Sequence, residues 1–327
     1  MKTALITGGA GFIGSHMVDL LLSKNYCVRV VDNLVTGKYI NLAHHSNNKN
    51  LLVDERDIRS LSDSDSLFKN LDYIFHFAGI GDIVPSIDKP EEYLSVNTQG
   101  TVKICEGAKF NSISKLVYAA SSSCYGIAKV PTDEDAKIET EYPYALSKYL
   151  GECIVLHWSK VYKLPVNVIR IFNAYGTRSK TSGAYGAVFG VFLKQKLSGK
   201  PFTVVGDGTQ KRDFLYVTDV ANAFYEASIT NKSGEIYNLG AGNPQSINYL
   251  VKLLGGPIKN IPSRPGEPKV TWANISKIVN DLNWEPKVSF EEGVKKILQN
   301  IDYWRDAPLW DEESIKVATK NWFDNLH

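Results

Sequence analysis

The chain has 327 residues, with 37 Lys+Arg against 35 Asp+Glu and a formal net charge of +2. It is 43% hydrophobic and 22% charged, which excludes a disordered, collagenous or coiled-coil chain and leaves one large domain or two unequal ones. The near-zero charge gives no footprint for a nucleic-acid partner. Cys27, Cys105, Cys124 and Cys153 are widely separated and make no C-x-x-C pair, so reduced thiols in a cytoplasmic protein are expected. Even the apolar run 187–193 is far short of a membrane span, and Ala4-Leu5-Ile6 is too short for a signal peptide, so no membrane partner is expected.

Taken in chain order, Ala4–Thr7 reads as a strand, Phe12–Lys24 as a helix and Val28–Val31 as a second strand. Next, His44-His45 opens a polar stretch that runs to Asn50. With no third ligand nearby in sequence it reads as a solvated loop, and no metal is expected. Leu51–Val53, Tyr73–Phe77 and Leu116–Ala120 are further strands, apolar on both faces as buried parallel strands are. Helical stretches lie near Leu61–Asn70 and Val96–Lys109, a long helix spans Pro143–Tyr162, and the strand Val166–Ile171 follows it. This alternation implies βαβ units: an α/β fold of the Rossmann type, with a doubly wound parallel sheet. After Gly176 the alternation stops, and a smaller C-terminal α/β lobe is expected over the carboxyl ends of the strands. Gly255–Pro268, with four prolines and three glycines, reads as an exposed stiff loop.

Gly8, Gly11 and Gly14 follow the first strand and open the first helix. In that context Gly8 permits a tight turn, Gly11 lets backbone approach a pyrophosphate, and Gly14 lets helix and strand pack closely. The helix start, with Phe12 and Ile13, offers N–H groups to the anion. Asp32 stands about 20 residues further on, where a carboxylate accepts from both ribose hydroxyls and repels a 2′-phosphate; the cofactor is therefore NAD. Arg29 and Lys38 are close enough in sequence to argue for a phosphate instead. Asp57 either reaches the adenine amine or caps the next helix. Asn33 and Ile58, beside these two carboxylates, join the cofactor-binding set. Residues 1–176 thus read as the NAD domain, with 210–235 returning to it, and 177–327 mainly as a substrate lobe.

Tyr144 and Lys148 stand at i and i+4 of the long helix and share one face. A neighbouring ammonium stabilises a phenolate, which then takes a proton from a sugar hydroxyl. Ser121-Ser122-Ser123 ends a strand, where its hydroxyls donate to a carbonyl or alkoxide oxygen.

These motifs resemble the extended short-chain dehydrogenase/reductase family, specifically its NAD-dependent sugar-nucleotide epimerases and dehydratases. The likeness runs through TGGAGFIGSH (7–16), VDNLVTG (31–37), HFAG (76–79), SSSCYG (121–126), PYALSK (143–148) and RIFNAYG (170–176). It continues in GDGTQKRDFLYVTDVA (206–221), YNLGAG (237–242) and RPGEPKVTWANISK (264–277). The resemblance implies that Ser121 and Tyr144 are catalytic and that Lys148 also holds the nicotinamide ribose. It places Phe77, Ala78 and Asn97 at the NAD site. It puts Asn173, Arg212 and Arg264 on the nucleotide-sugar, with the arginines on its diphosphate, a bidentate role that guanidinium suits. A homodimer built through a helical bundle is also implied.

Within the family, dehydratases carry two carboxylates directly after the catalytic serine or threonine. Here those positions are Ser122 and Ser123, which favours 4-epimerisation through a 4-keto sugar over 4,6-dehydration. Asp82 and Cys124 remain alternative acid/base groups, and the basic residue of a related V-P-R-S motif is missing at Pro85-Ser86. Decarboxylase or reductase variants and a non-catalytic NAD sensor are the remaining readings. Thr271 stands where similar enzymes carry a tyrosine that narrows the pocket, and 183–187 looks like the substrate loop of N-acetylhexosamine 4-epimerases. Both point to a UDP-N-acetylhexosamine, although Asn274 replaces the aspartate usual in that motif.

Overall fold

The computed structural model describes residues 1–179, 188–263 and 266–326. Its centre is a seven-stranded parallel sheet. The strands are β1 (Thr3–Thr7), β2 (Cys27–Val31), β3 (Leu51–Asp54), β4 (Tyr73–His76), β5 (Lys115–Ser121), β6 (Val166–Ile171) and the segment Glu235–Leu239. Their spatial order is Glu235–Leu239, β6, β5, β4, β1, β2, β3. Every residue of β4, β5 and β6 is buried, which is why these strands read as unbroken apolar runs rather than alternating ones. The chain direction across the sheet reverses between β1 and β4. A ligand crevice therefore opens beyond the carboxyl ends of those two strands.

Helix α1 (Phe12–Ser23) packs on one face of the sheet with Val217–Ile229, and the long helix Pro143–Tyr162 covers the other with Gly100–Phe110. Val217–Ile229 and Glu235–Leu239 bring the chain back to the sheet after it has entered the second lobe. That lobe has its own aromatic core, which includes Phe189, Phe202, Phe214, Phe290, Trp304 and Trp322.

Three expectations need correction. Leu61–Asn70 forms only the single turn Ser66–Phe68: Asp65 caps its start through the Leu67 N–H, so no helix begins before Ser66, and Lys69 ends it in extended backbone. The expected helix 96–109 begins as Pro90–Leu94, widens into a π turn at Ser95–Gln99 and regains α geometry over Gly100–Phe110. Gly255–Pro268 is not all loop. Ile258–Ile261 pairs in parallel with Phe202–Val205, and Pro257 and Pro262 sit just outside the strand, where a missing N–H interrupts no ladder.

Candidate active site

A cavity of about 690 Å³ lies between the lobes, beyond the carboxyl ends of β1 and β4. At one end is the glycine turn. Gly8 has φ +70°, and a Cβ there would sit 2.8 Å from the Ala78 nitrogen, so backbone from β4 closes directly on it. A Cβ on Gly14 would come within 2.2 Å of the Gly8 carbonyl oxygen. The Cβ of a residue replacing Gly11 would meet only that same oxygen, at 3.1 Å, and would otherwise project into the cavity. No side chain caps α1, so its first-turn N–H groups at Phe12, Ile13 and Gly14 line the cavity as anion donors.

Asp32 is 7% exposed and lines the same end. One oxygen accepts from Ala10 N at 3.0 Å and the other from Leu34 N at 2.9 Å. Burial raises its carboxyl above the ordinary value, and the two N–H bonds counter that. Each oxygen keeps acceptor capacity for a ribose hydroxyl. Arg29, one of the two cations that argued for a phosphate, instead donates to the carbonyls of Leu67 (3.0 Å) and Lys69 (2.6 Å). Asp57 takes the capping role foreseen for it, and it also faces the cavity. It caps the turn Ile58–Ser60 through Arg59 N at 2.8 Å, and it lines the cavity with Ile58 and Asn33, whose amide donates to it at 3.1 Å. The Arg59 guanidinium pulls its carboxyl down to about 2. An acceptor pair, a glycine turn and open helix N–H groups together fit an NAD-type dinucleotide.

Mid-cavity stand Phe77, Ala78, Ser121, Tyr144 and Lys148. The start of helix Pro143–Tyr162, with Pro143 at its first position, sets Tyr144 one turn before Lys148. Ser121 ends β5 and its hydroxyl bonds Tyr144, while its Oγ accepts from Ser123 N at 3.2 Å. Burial raises the Tyr144 phenol above its ordinary value, and the Ser121 bond opposes this. The expected depression by the lysine is absent. Burial pushes the Lys148 ammonium itself down to about 7, with Glu152 holding it up in part, so its charge is only partly present at neutral pH.

Asn97 stands behind this wall rather than on it. It is 1% exposed, and its amide is spent on the Ile80 backbone (2.9 and 3.1 Å) and on Ser147 Oγ (2.9 Å). Ser147 in turn donates to the Tyr144 carbonyl at 2.8 Å, so Asn97 braces the catalytic helix. Cys124 is also off the cavity: it is buried, and burial pushes its thiol up to about 12, which removes it as an acid/base at neutral pH. Asp82 does line the cavity and faces Tyr144 electrostatically.

At the far end are Ser122, Ser123, Asn173, Arg212 and Thr271. The Thr271 hydroxyl donates to the Asn173 Oδ1 at 2.6 Å, joining two expected substrate residues that lie 98 positions apart. Arg212 donates to the carbonyls of Lys211 and Pro268, both at 2.9 Å, which fixes its guanidinium at the rim. Arg264 and the loop 183–187 lie outside the described residues. Sequence reasoning missed Asp213, a buried carboxylate that gathers Ala241 N (2.9 Å), Gly242 N (3.3 Å), Asn243 N (3.4 Å) and Ala273 N (2.9 Å) and so shapes the Thr271 segment. It also missed Tyr142 and Trp322, both on the cavity wall.

The histidine pair differs from expectation too. Asp19 of α1 is the third donor that sequence proximity did not reveal: both His44 Nε2 and His45 Nε2 lie 2.8 Å from its Oδ1. Arg178 holds its other oxygen at 2.8 Å, so a cation already neutralises the group. Among the described residues, no helix is long and apolar enough to cross a membrane.

A family model described as the NAD-dependent epimerase/dehydratase family matches residues 4–240. The UDP-glucuronate 4-epimerase of Thermodesulfobacterium geofontis is 34% identical, over 96% of this chain and 97% of its own. The structure of a UDP-N-acetylglucosamine 4-epimerase from Methanobrevibacter ruminantium, in complex with UDP-N-acetylmuramic acid, superposes with a TM-score of 0.86 and 30% identity. That match covers 91% of this chain and 99% of the other. A UDP-glucuronic acid 4-epimerase from Bacillus cereus, in complex with UDP-glucuronic acid and NAD, gives 0.85 and 30%, over 92% and 99%. With its glycine turn, buried Asp32 and helix-borne tyrosine in one cavity, the chain belongs to the NAD-dependent epimerase/dehydratase family, and its cofactor is NAD.

Proposed function

We propose that the protein is a nucleotide-sugar 4-epimerase and that its substrate is a UDP-N-acetylhexosamine. The observation that carries this is the β5 turn beside Tyr144: Ser121 bonds Tyr144, and the next two positions, which also line the cavity, are Ser122 and Ser123, not carboxylates. When bound, NAD supplies the redox partner for C4 of the sugar and a positive ring that favours the Tyr144 phenolate. Tyr144 takes the O4 proton, with the Ser121 hydroxyl holding the same oxygen as it becomes a carbonyl. Lys148, buried beside them, is placed to hold the ribose and to keep the phenolate from being left alone. The 4-keto sugar turns over in the cavity, and Tyr144 returns the proton to O4 on the epimer. Arg212 and Arg264 supply the charge for the diphosphate.

Thr271 supports the N-acetyl assignment: its side chain is small and folds back onto Asn173, where a tyrosine would occupy the cavity. Leu146 (39% exposed) and Leu150 (37% exposed) form an apolar stripe on the catalytic helix that supports pairing with a second copy, which light scattering reads directly. The functional test incubates the holoprotein with UDP-GlcNAc and with GDP- and dTDP-sugars. A UDP-GalNAc product of unchanged mass, seen by proton NMR, is expected. A product lighter by one water establishes dehydration and sinks the reading.

A further inference from the structure

Beyond residue 306 the chain folds back onto the site it has already built. Helices Glu312–Ala318 and Lys320–Asn325 form a hairpin on the second lobe. It is well anchored. Asp311 and Ser314 form a reciprocal cap, Gln195 Nε2 donates to the Trp310 carbonyl at 2.7 Å, Lys259 pairs with Glu312, and Ile315 enters the lobe core. The second helix reaches the cavity. The Trp322 ring lies 5.3 Å from that of Tyr142, and the Tyr142 ring is nearly parallel to that of Tyr144, 6.5 Å away with a 7° interplanar angle. Tyr142 also bonds Ser123. One residue earlier, Asn321 donates to Asp88 Oδ1 at 2.6 Å. Asp88 ends the segment that carries Asp82, which also lines the cavity.

One short helix therefore holds two cavity-lining segments that both act on Tyr144, one through the Tyr142 ring and one through the charge of Asp82. Trp322 is only 3% exposed, so it meets a sugar mainly through the ring it supports. We infer that the C-terminal hairpin sets the width of the sugar subsite, with Trp322 as the positioning residue for Tyr142, and so governs which hexose substituents the enzyme accepts. The inference rests on the nucleotide-sugar reading. Aromatic rings in contact keep a defined offset, and removing one leaves its partner free to move into the vacated space. A wall that moves widens the subsite and costs selectivity before it costs cofactor binding.

The test measures the ratio of dissociation constants for UDP-GlcNAc and UDP-glucose on the holoprotein by calorimetry, which needs no turnover, and the ratio of kcat/KM where turnover occurs. Trp322→Ala is expected to bring the ratio about tenfold closer to one, the scale of one altered apolar contact in a pocket. NAD content should stay at the wild-type level, and Trp322→Phe should restore most of the selectivity. Asn321→Asp, an exposed change that sets a carboxylate against Asp88, should loosen selectivity in the same direction. This second variant decides the matter if Trp322→Ala fails to fold. A Trp322→Ala protein that keeps NAD and the wild-type ratio overturns the inference, as does a wild-type ratio in Asn321→Asp when the alanine variant is unfolded. Wild-type holoprotein that binds neither sugar overturns the functional reading instead.

Discussion

His76 ends β4 directly beneath the cofactor wall and is fully buried. Its hydrogen bonds fix its tautomer. The Thr101 hydroxyl donates to the Asn97 carbonyl at 2.7 Å, so toward His76 Nε2, 3.0 Å away, it must accept. Nε2 therefore carries the proton. Nδ1 accepts from the Thr7 hydroxyl at 2.7 Å, and Thr7 Oγ1 in turn accepts from Ala78 N at 3.0 Å. A second proton on the ring would meet the Thr7 donor head-on in a site without water-like screening. Burial accordingly pushes the His76 imidazole down to about 3, and burial brings His16, bonded to the Thr177 carbonyl at 3.0 Å, to about 4.

Both folded values lie below the unfolded value of about 6.5, so the unfolded chain binds more protons in acid. Their contribution is complete above about pH 6.5 and is lost as pH falls toward 4 for His16 and 3 for His76. Between pH 7 and pH 5 each histidine should cost about 2 kcal/mol, or about 4 kcal/mol together, against a total stability of about 5–15 kcal/mol. Most carboxylates keep ordinary values of about 4 and stay ionised across that window, while Asp32, Glu134, Asp213 and Asp219, which burial raises, oppose part of the loss, so the imidazole titration is the decisive reading. Urea unfolding at the two pH values, with NAD saturating at both, measures the loss. Imidazole NMR should show His76 unprotonated throughout. A folded-state midpoint near 6.5 for His76 would refute the reasoning.

Three further outcomes are expected. Tyr144→Phe should lose about 10²- to 10⁴-fold in kcat while purifying with NAD, since the ring and its packing persist; wild-type-like turnover removes Tyr144 as the acid/base. Gly14→Ala should weaken NAD binding by about 10- to 100-fold in calorimetry, because 1–3 kcal/mol of overpacking falls on the turn itself. Alanine's better helix propensity works the other way, so unchanged affinity would show that the turn relaxes at no cost. Glu152→Gln leaves Arg170 buried without its partner, 2.5 Å away, and should cost about 3–5 kcal/mol in urea unfolding; a loss under about 1 kcal/mol would mean that the pair only breaks even.

The cofactor half of the site was legible because its chemistry is local. A glycine turn, a carboxylate after β2 and a Tyr–Lys pair one turn apart each declare themselves within a few residues, and a parallel sheet then carries them to one edge. The other half of the cavity was legible only where the family motif extends to single residues, as at Thr271, which lines it. Its shaping groups are tertiary. Asp213 collects four N–H groups from two segments that follow it at different distances in the chain. Trp322 meets Tyr142 across 180 positions. The buried Glu152–Arg170 pair shows why such groups escape a reading by pattern. Arg170 also donates to the Glu134 carbonyl at 2.9 Å, Glu134 accepts from Asn238 N at 2.9 Å, and the Asn238 amide donates to the Thr132 carbonyl at 2.9 Å. Thr132 N completes the path by donating to the Trp272 carbonyl at 2.8 Å, next to Thr271. One ion pair under Lys148 is thus tied through four segments to the cavity wall that carries Thr271. The near-neutral net charge of the chain conceals this, because a cation and an anion that cancel in the sum are here buried together, and that burial makes them matter.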